Sequence, residues 1–320
     1  MMKCLINGTV EPVLFRGSYN AGILNKTCIE ERHLLLHGDD FLPIFHDAAK
    51  QCTIHKALHE IAQYRNITEV ESEFDLKYFM DKLEPFVLRY DSELSGKWND
   101  EYLLKQSEFQ LNHENELNLQ LINYEKRYIN GPIPKILLKD VTIPNPLSYN
   151  TLFSHYEKTT LWHSPNSRHK SHLHRDPGLF FVQQIYGQKK VSLIDPEFSL
   201  NVYSDFGEVY NLSPIEPTKI DISKYPEITK VEVKSTILNE GDICFLPYMY
   251  WHYIEGIPDS TNTKRNLALT FQFKSINNGC QEFSESKVKT CIRSWRNNSD
   301  IDLGGKMPNT TLFDLMSFYR

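Results

Sequence analysis

The sequence lacks the features that mark secreted, membrane-spanning and nucleic-acid-binding proteins. Its six cysteines are scattered with no Cys-x-x-Cys pair, so we expect reduced thiols. No run of about eighteen apolar residues is present, and no apolar run follows a basic N-terminal segment, so neither a membrane span nor a signal peptide is expected. The net charge of −6 offers no basic excess for a nucleic acid. These absences favour a cytoplasmic protein, with a nuclear one as the alternative.

The residues most informative about chemistry are His174 and Asp176, which lie in a short extended run. Side chains two apart in a strand point the same way, so this imidazole and carboxylate can converge on one metal. His252 follows an apolar strand and a proline, at the start of another strand. Two imidazoles and one carboxylate can form a facial triad that leaves three positions open on octahedral Fe(II). His-x-Asp alone is a weak signal, because many surface loops contain it.

Residues 180–196 lie between the two histidine-bearing segments, and their pattern predicts a β-hairpin with Gly187 at its turn. Lys189 lies early in the return strand, fifteen residues after His174. Strand alternation places Lys190 on the face opposite to Lys189. A second set of signals, Gly241-Asp242 and an apolar strand ending at Pro247, precedes His252.

This ordered set of motifs resembles the Jumonji-C (JmjC), or cupin-like, family of Fe(II)- and 2-oxoglutarate-dependent oxygenases. The resemblance covers residues 160–275 and is greatest to the hydroxylase branch that includes the asparaginyl hydroxylase of the hypoxia-inducible factor. A weaker similarity lies at Pro12–Gly17, which resembles the family's opening strand at the barrel edge. The resemblance implies a mainly β fold with helical additions, built on a double-stranded β-helix, or jelly-roll, core.

The resemblance also implies the site residues. The expected metal ligands and catalytic residues are His174, Asp176 and His252. His169 and His172 are competitors, but only His174 has the family spacing to Gly187 and Lys189. A carboxylate buried in an apolar barrel requires a cation and hydrogen bonds. By this resemblance, the residues expected to bind 2-oxoglutarate are Lys189, Ser171 and Thr270, and the expected cofactors are Fe(II), 2-oxoglutarate and O₂.

Three parts of the chain are expected. Residues 1–150 are predicted to carry an N-terminal strand and helical additions, including an amphipathic helix over 72–86. Residues 151–275 are the expected JmjC/cupin-like catalytic core. Residues 276–320 are predicted to be a helical segment. Because such C-terminal helices form a homodimer in several family members, a homodimer is one expectation here.

The expected activity is hydroxylation of an amino-acid side chain in a protein or peptide, coupled to the conversion of 2-oxoglutarate to succinate and CO₂. Two long insertions, 98–128 and 201–230, suit a groove for an extended peptide. Departures from the family pattern at the cavity wall, such as Phe180 and Arg175, leave the substrate open. The alternatives are a free amino acid or other small metabolite, a modified tRNA base, lysine demethylation, and a cupin-like binding protein without activity.

Overall fold

A computed structural model describes residues 2–6, 9–13, 55–71, 73–99, 101–103, 105–106, 129–164, 169–204, 211–258, 266–276, 285–307 and 309–318. Most of the predicted insertion 98–128, and residues 205–210 of the second insertion, lie outside this set. Within these ranges, none of the helices has the length and apolar character needed to span a membrane.

Two β-sheets form the core of the fold. Among the described residues, the larger sheet has seven strands and the smaller has four. The strands of the larger sheet are β5 (Thr68–Val70), β6 (Phe86–Leu88), β7 (Ile129–Pro132), β8 (Tyr156–Ser164), β9 (Leu179–Tyr186), β13 (Ile243–Leu246) and β15 (Asn266–Phe273), and their spatial order is β5-β6-β13-β9-β15-β8-β7. Those of the smaller sheet are β4 (Gln63–Asn66), β10 (Gln188–Ile194), β12 (Glu232–Leu238) and β14 (Trp251–Ile257), in the order β14-β10-β12-β4. The predicted jelly-roll core is confirmed.

The chain changes sheet at successive connections along this core. It passes from β9 in the larger sheet to β10 in the smaller one, and it crosses again from β12 to β13, from β13 to β14 and from β14 to β15. The predicted hairpin over 180–196 is therefore wrong. β9 pairs with β13 and β15, whereas β10 pairs with β12 and β14. Gly187, with φ of +72°, makes a corner between the two sheets.

The N-terminal part contributes strands as well as helices. β4 extends the smaller sheet by parallel pairing with β12, and β5 to β7 extend the larger sheet. The helix predicted over 72–86 is shorter, because α2 (Leu76–Lys82) ends at Leu83 in a left-handed conformation. The strand containing Pro12 was expected at the barrel edge. Instead β2 (Thr9–Val13) pairs with β1 (Met2–Ile6) in a separate two-stranded sheet.

Three hydrophobic clusters hold these layers together. One fills the space between the sheets and joins residues of the larger sheet, such as Val182 and Leu246, to Val191 and Leu193 of the smaller sheet. A second covers the larger sheet with the helices α2, α3 (Glu93–Lys97), α4 (Asn150–Ser154), α5 (Glu285–Asn298) and α6 (Leu312–Phe318). The third covers the smaller sheet with α1 (Leu58–Ile61) and with Val202, Ile215, Ile228 and β11 (Ile220–Asp221), a strand that pairs with β3 (His55–Lys56).

The C-terminal part contains the predicted helices, α5 and α6, and both pack on the larger sheet. The boundaries at 150 and 275 and the homodimer remain predictions. The expectation for cysteine is wrong at one position. Cys244 is a buried free thiol, but Cys291 on α5 is disulfide-bonded.

Candidate metal centre and cavity

Three predicted ligands, His174, Asp176 and His252, meet at one point between the sheets. One ligand atom from each lies within 4.8 Å of the other two. The Asp176 Oδ2 atom is 3.6 Å from the Nε2 atom of His174 and 3.6 Å from that of His252. The three donors are two imidazole nitrogens and one carboxylate oxygen, which is the donor set of a facial triad. Among the described residues, this is the one cluster of three or more potential ligands.

Backbone carbonyl groups orient both imidazoles. The Nδ1 atom of His174 lies 2.8 Å from the carbonyl oxygen of His172, and that of His252 lies 3.1 Å from the carbonyl oxygen of Tyr250. A carbonyl oxygen only accepts hydrogen bonds, so each Nδ1 carries the proton. The Nε2 lone pairs of both rings are then directed toward Asp176 and are available to a cation.

Burial sets the protonation of the triad. It lowers the pKa of His252 to about 3, with a further contribution from the charge of His174. His252 is therefore neutral at physiological pH, as metal ligation requires. Burial also raises the pKa of Asp176, which the charges of His174 and Lys158 partly offset. A cation bound beside the carboxylate would favour its ionised form.

The two ligand-bearing segments are joined by a backbone bridge. The His174 amide donates to the His252 carbonyl over 3.1 Å, and the His252 amide donates to the His174 carbonyl over 2.7 Å. Residues 171–176 do not form a regular strand. They make isolated bridges to β14 and to Leu212. The Met249 amide, in a left-handed residue with φ of +62°, donates to the Asp176 carbonyl over 3.2 Å and fixes the second ligand.

The triad lines a cavity of about 540 Å³, a size typical of small-molecule sites. Its floor is made by cross-strand pairs of β8 and β15, namely Ser164 with Asn266, Trp162 with Ala268, Thr160 with Thr270 and Lys158 with Gln272. This floor extends over six residue steps, or about 20 Å. Apolar side chains, including Phe180, Val182 and Leu246, cover part of the wall.

Lys189 enters one end of the cavity. Its ammonium group donates a hydrogen bond to Oδ1 of Asn266, which also accepts from Gln184 Nε2 over 3.1 Å. Burial lowers the pKa of Lys189 to about 7. Within the described part of the chain, no carboxylate lies within ion-pair distance of this ammonium group. Lys190 lies on the opposite face of β10, 5.4 Å from the centroid of the Tyr64 ring.

The structure also places Ser171 and Thr270 on the cavity wall. The Ser171 hydroxyl oxygen accepts a hydrogen bond from the Ile254 amide over 2.9 Å, so its proton remains to be donated elsewhere. Thr270 lies on β15 opposite Thr160. All six residues predicted for the site therefore line one cavity.

The competing histidines occupy different positions. The side chain of His172 is exposed and lies outside the cluster of ligands. His169 lines the cavity, and burial, together with the charge of Lys189, lowers its pKa. The His169 carbonyl accepts from the Gly256 amide over 2.9 Å, and Gly256 pairs with Lys189, so His169 lies at the Lys189 end of the cavity.

Sequence reasoning missed several polar residues of the cavity. Asn266, the partner of Lys189, was predicted only as the start of the closing strand. Lys158 and Gln272 were not singled out, although alternation along β8 and β15 places them on the same face as Thr160 and Thr270. Side chains two apart in a strand point to the same face, so counting in steps of two from Thr270 and from its partner Thr160 would have identified both residues.

Comparison of the sequence with known proteins identifies a family and several relatives. The sequence matches the cupin-like domain family over residues 12–279. Lysine-specific demethylase 8 of Danio rerio is 29% identical over 97 residues, which are 30% of this chain and 24% of that protein. JmjC domain-containing protein D of Dictyostelium discoideum is 33% identical over 90 residues, 28% of this chain and 20% of that protein. HSPB1-associated protein 1 of Homo sapiens is 28% identical over 109 residues, 33% of this chain and 22% of that protein.

These alignments cover about a fifth to a quarter of the relatives' own length. An oxalate decarboxylase structure aligns with 37% of this chain and 21% of its own, at 13% identity and a TM-score of 0.24, which is too low to carry an argument. The family match, by contrast, spans most of the chain and contains the whole triad. The chain therefore belongs to the cupin-like domain family, and its sequence relatives include JmjC-domain proteins, whose family consists of Fe(II)- and 2-oxoglutarate-dependent oxygenases.

Proposed function

We propose that the protein is an Fe(II)- and 2-oxoglutarate-dependent hydroxylase that acts on an amino-acid side chain of a polypeptide. The observation that carries the proposal is one cavity with a three-ligand cluster and, apart from it, a half-buried lysine without a carboxylate partner among the described residues. The three-ligand cluster suits a metal with open coordination positions, and the lysine suits an anion. A dicarboxylate that chelates the metal at one end could bind the lysine with its other end.

The metal would be held by the Nε2 atoms of His174 and His252 and by a carboxylate oxygen of Asp176. Both imidazoles are fixed in the tautomer that ligation needs, and the single carboxylate partly balances a divalent charge. When bound, the metal supplies the oxidising chemistry in which 2-oxoglutarate and O₂ give succinate, CO₂ and a hydroxylated C–H bond.

The distal carboxylate of 2-oxoglutarate would bind Lys189. In the pairing of β10 with β14, Lys189 lies opposite Gly256, four residues from His252, or about 13 Å along the strand. A lysine side chain and a short dicarboxylate together bridge such a distance. Ser171 has a hydroxyl proton to donate, and Asn266 holds the ammonium group in position. A bound carboxylate would also stabilise the charged lysine that burial disfavours.

The end of the cavity away from Lys189 would receive the substrate. It is lined by Lys158, Gln272 and residues 130–132 of β7. The floor is longer than a short dicarboxylate, so room remains beyond the triad. An open, polar rim made from several chain segments suits an extended peptide.

Lysine demethylation is a second candidate, favoured by the names of relatives in Danio rerio and Arabidopsis thaliana. Both activities begin with hydroxylation of a C–H bond, and demethylation then releases formaldehyde from an N-methyl group. The exposed Lys158 at the substrate end counts against a cationic methyl-lysine. It has no carboxylate within ion-pair distance among the described residues, and its positive charge would repel a second cation.

The proposal is tested by succinate formation from 2-oxoglutarate with Fe(II) and O₂. We expect slow turnover by the wild-type protein even without a peptide. Asp176→Ala and His252→Ala should each reduce succinate to the level of a protein-free control, because two remaining ligands hold the metal poorly.

The matched control is His172→Ala, which removes an exposed imidazole two residues from His174. It should retain wild-type succinate formation. Wild-type turnover by Asp176→Ala or His252→Ala would overturn the ligand assignment. Absence of turnover and of Mn(II) binding in the wild-type protein would overturn the oxygenase proposal itself.

A further inference from the structure

A buried turn lies behind the two ligand-bearing segments, on the side away from the cavity. It is a short 3₁₀ helix, Pro196–Phe198, flanked by Asp195 and Ser199 at the end of β10. Ser199 is fully buried, and its hydroxyl donates to the Pro196 carbonyl over 2.6 Å. The same oxygen accepts from Trp251 Nε1 over 2.9 Å and from Arg175 Nη1 over 3.2 Å.

The two donors to Ser199 belong to different ligand-bearing segments. Arg175 lies between the ligands His174 and Asp176, and Trp251 immediately precedes His252. Both side chains are buried, and the Arg175 guanidinium carbon lies 4.8 Å from the centroid of the Trp251 ring. Neighbouring residues in extended backbone point to opposite faces, so these contacts lie behind the ligands.

Asp195 makes a second connection to the same region. Its Oδ2 atom accepts from the Tyr250 hydroxyl over 3.1 Å and from Arg296 Nη2, on α5, over 2.6 Å. Tyr250 also provides the backbone carbonyl that accepts from His252 Nδ1. The turn therefore contacts, through two side chains, both residues that precede His252.

Backbone hydrogen bonds join the two segments directly, at Ser171 with Ile254, at His174 with His252 and at Asp176 with Met249. These bonds lie along one line between the two backbones, so the segments can still tilt about that line. Contacts on the opposite face oppose such a tilt. Because a metal needs its ligand atoms placed within a fraction of an ångström, a small tilt would weaken binding.

We propose that Ser199 and Asp195 are positioning residues that fix the two ligand-bearing segments relative to each other, so that the three ligand atoms face one metal ion. The proposal rests on the proposed function, since it assumes that the triad binds a metal. It assigns to the turn no contact with the metal or with a substrate.

The test measures the Mn(II) affinity of the metal-free protein by titration calorimetry, so that it does not depend on turnover. Ser199→Ala removes the shared acceptor of two buried donors, and we expect about three- to tenfold weaker Mn(II) binding. The matched control is Ser148→Ala, another fully buried serine, whose hydroxyl donates to the Asn145 carbonyl over 2.7 Å. It should bind Mn(II) as the wild type does. Of these two variants, only Ser199→Ala should change the electron paramagnetic resonance spectrum of bound Mn(II).

Tyr250→Phe gives an independent second variant, because it removes the hydroxyl that donates to Asp195 and accepts from Arg296 while leaving the backbone carbonyl that orients His252. We expect weaker Mn(II) binding for it as well, and it decides the matter if circular dichroism shows that Ser199→Ala does not fold. Wild-type Mn(II) affinity in the folded variants, or an equal loss in Ser148→Ala, would overturn the positioning role. Failure of the wild-type protein to bind Mn(II) would instead overturn the proposed function.

Discussion

Lys189 shows how one residue can make ligand binding depend on pH. Burial lowers its pKa to about 7 from an ordinary value of 10.5. A bound carboxylate would favour the charged form and raise this pKa. Affinity for 2-oxoglutarate should therefore be constant below pH of about 7 and fall as the pH rises above it, by up to about tenfold per pH unit.

This prediction is checked by titrating 2-oxoglutarate into the Mn(II)-loaded protein between pH values of about 6.5 and 8.5. Lys189→Arg should remove the component of pH dependence that arises from Lys189, because a guanidinium stays charged over this range. Lys190→Gln should keep the wild-type slope, since Lys190 lies on the other face of β10. Equal slopes for the wild type and Lys189→Arg would contradict the assignment of Lys189.

For single residues, the sequence was sufficient where the position of a side chain follows from the local backbone. His174 and Asp176 are two apart, so the phase of an extended segment brings them together whatever the rest of the fold does. The phase of Lys189 and Lys190 follows for the same reason. Ser199 could not be identified in this way. Its partners, Arg175 and Trp251, are distant in sequence, and a buried serine in a turn has no distinguishing local pattern.

Among the structural elements, the turn from β12 to β13 is held by one glycine. Gly241 has φ of +93°, and a Cβ atom there would lie 2.1 Å from the Tyr90 carbonyl oxygen. Its amide donates to the Gln184 carbonyl over 2.7 Å, which ties the turn to β9. Any larger residue must therefore strain the backbone or displace the chain beyond β6.

We predict that Gly241→Ala destabilises the protein by at least about 3 kcal/mol. The measurement is urea-induced unfolding followed by circular dichroism. Gly96→Ala, within α3, is the matched control, because a Cβ atom there meets nothing within 4 Å. It should be neutral or slightly stabilising, since alanine favours a helix. Similar midpoints for both variants would show that the turn adapts to a side chain.

The wrong hairpin has a physical explanation at the same scale. Two strands joined by a glycine turn have the same local pattern whether they pair with each other or diverge into two sheets. Here β13 and β15 pair with the two edges of β9, and β12 and β14 pair with the two edges of β10, so β9 and β10 cannot pair with each other. These competitors lie far along the chain, so no local signal reveals them.

For the whole molecule, the jelly-roll core was predictable from the sequence, but the short strands that extend its two sheets were not. The apolar strands and the ordered motifs indicated a jelly-roll core. The short strands β4 to β6 were absorbed into predicted helical additions, because three or four residues show too little periodicity to be assigned. Their place in the sheets depends on parallel pairing, as between β4 and β12, which requires knowledge of the complete core.

The distribution of charge over the whole cavity leads to a prediction about the substrate. One lysine lies at each end of the floor, and Asp176 is the only carboxylate among the described residues that line the cavity. With 2-oxoglutarate at the Lys189 end, the remaining cation, Lys158, faces the substrate. We therefore predict that acidic peptides stimulate succinate formation more than basic or trimethyl-lysine peptides do.

The experiment uses three pools of peptides of equal length that differ only in carrying acidic, basic or trimethyl-lysine positions. Succinate is measured together with the peptide mass, because hydroxylation adds about 16 Da, whereas demethylation releases formaldehyde. Lys158→Glu should shift the ratio of acidic to basic stimulation by about tenfold toward the basic pool, since it replaces attraction by repulsion. Lys139→Glu, an exposed lysine outside the cavity, should leave the ratio unchanged. Formaldehyde from the trimethyl-lysine pool, with no stimulation by the acidic pool, would replace the hydroxylase proposal by demethylation and would show that Lys158 does not select the substrate.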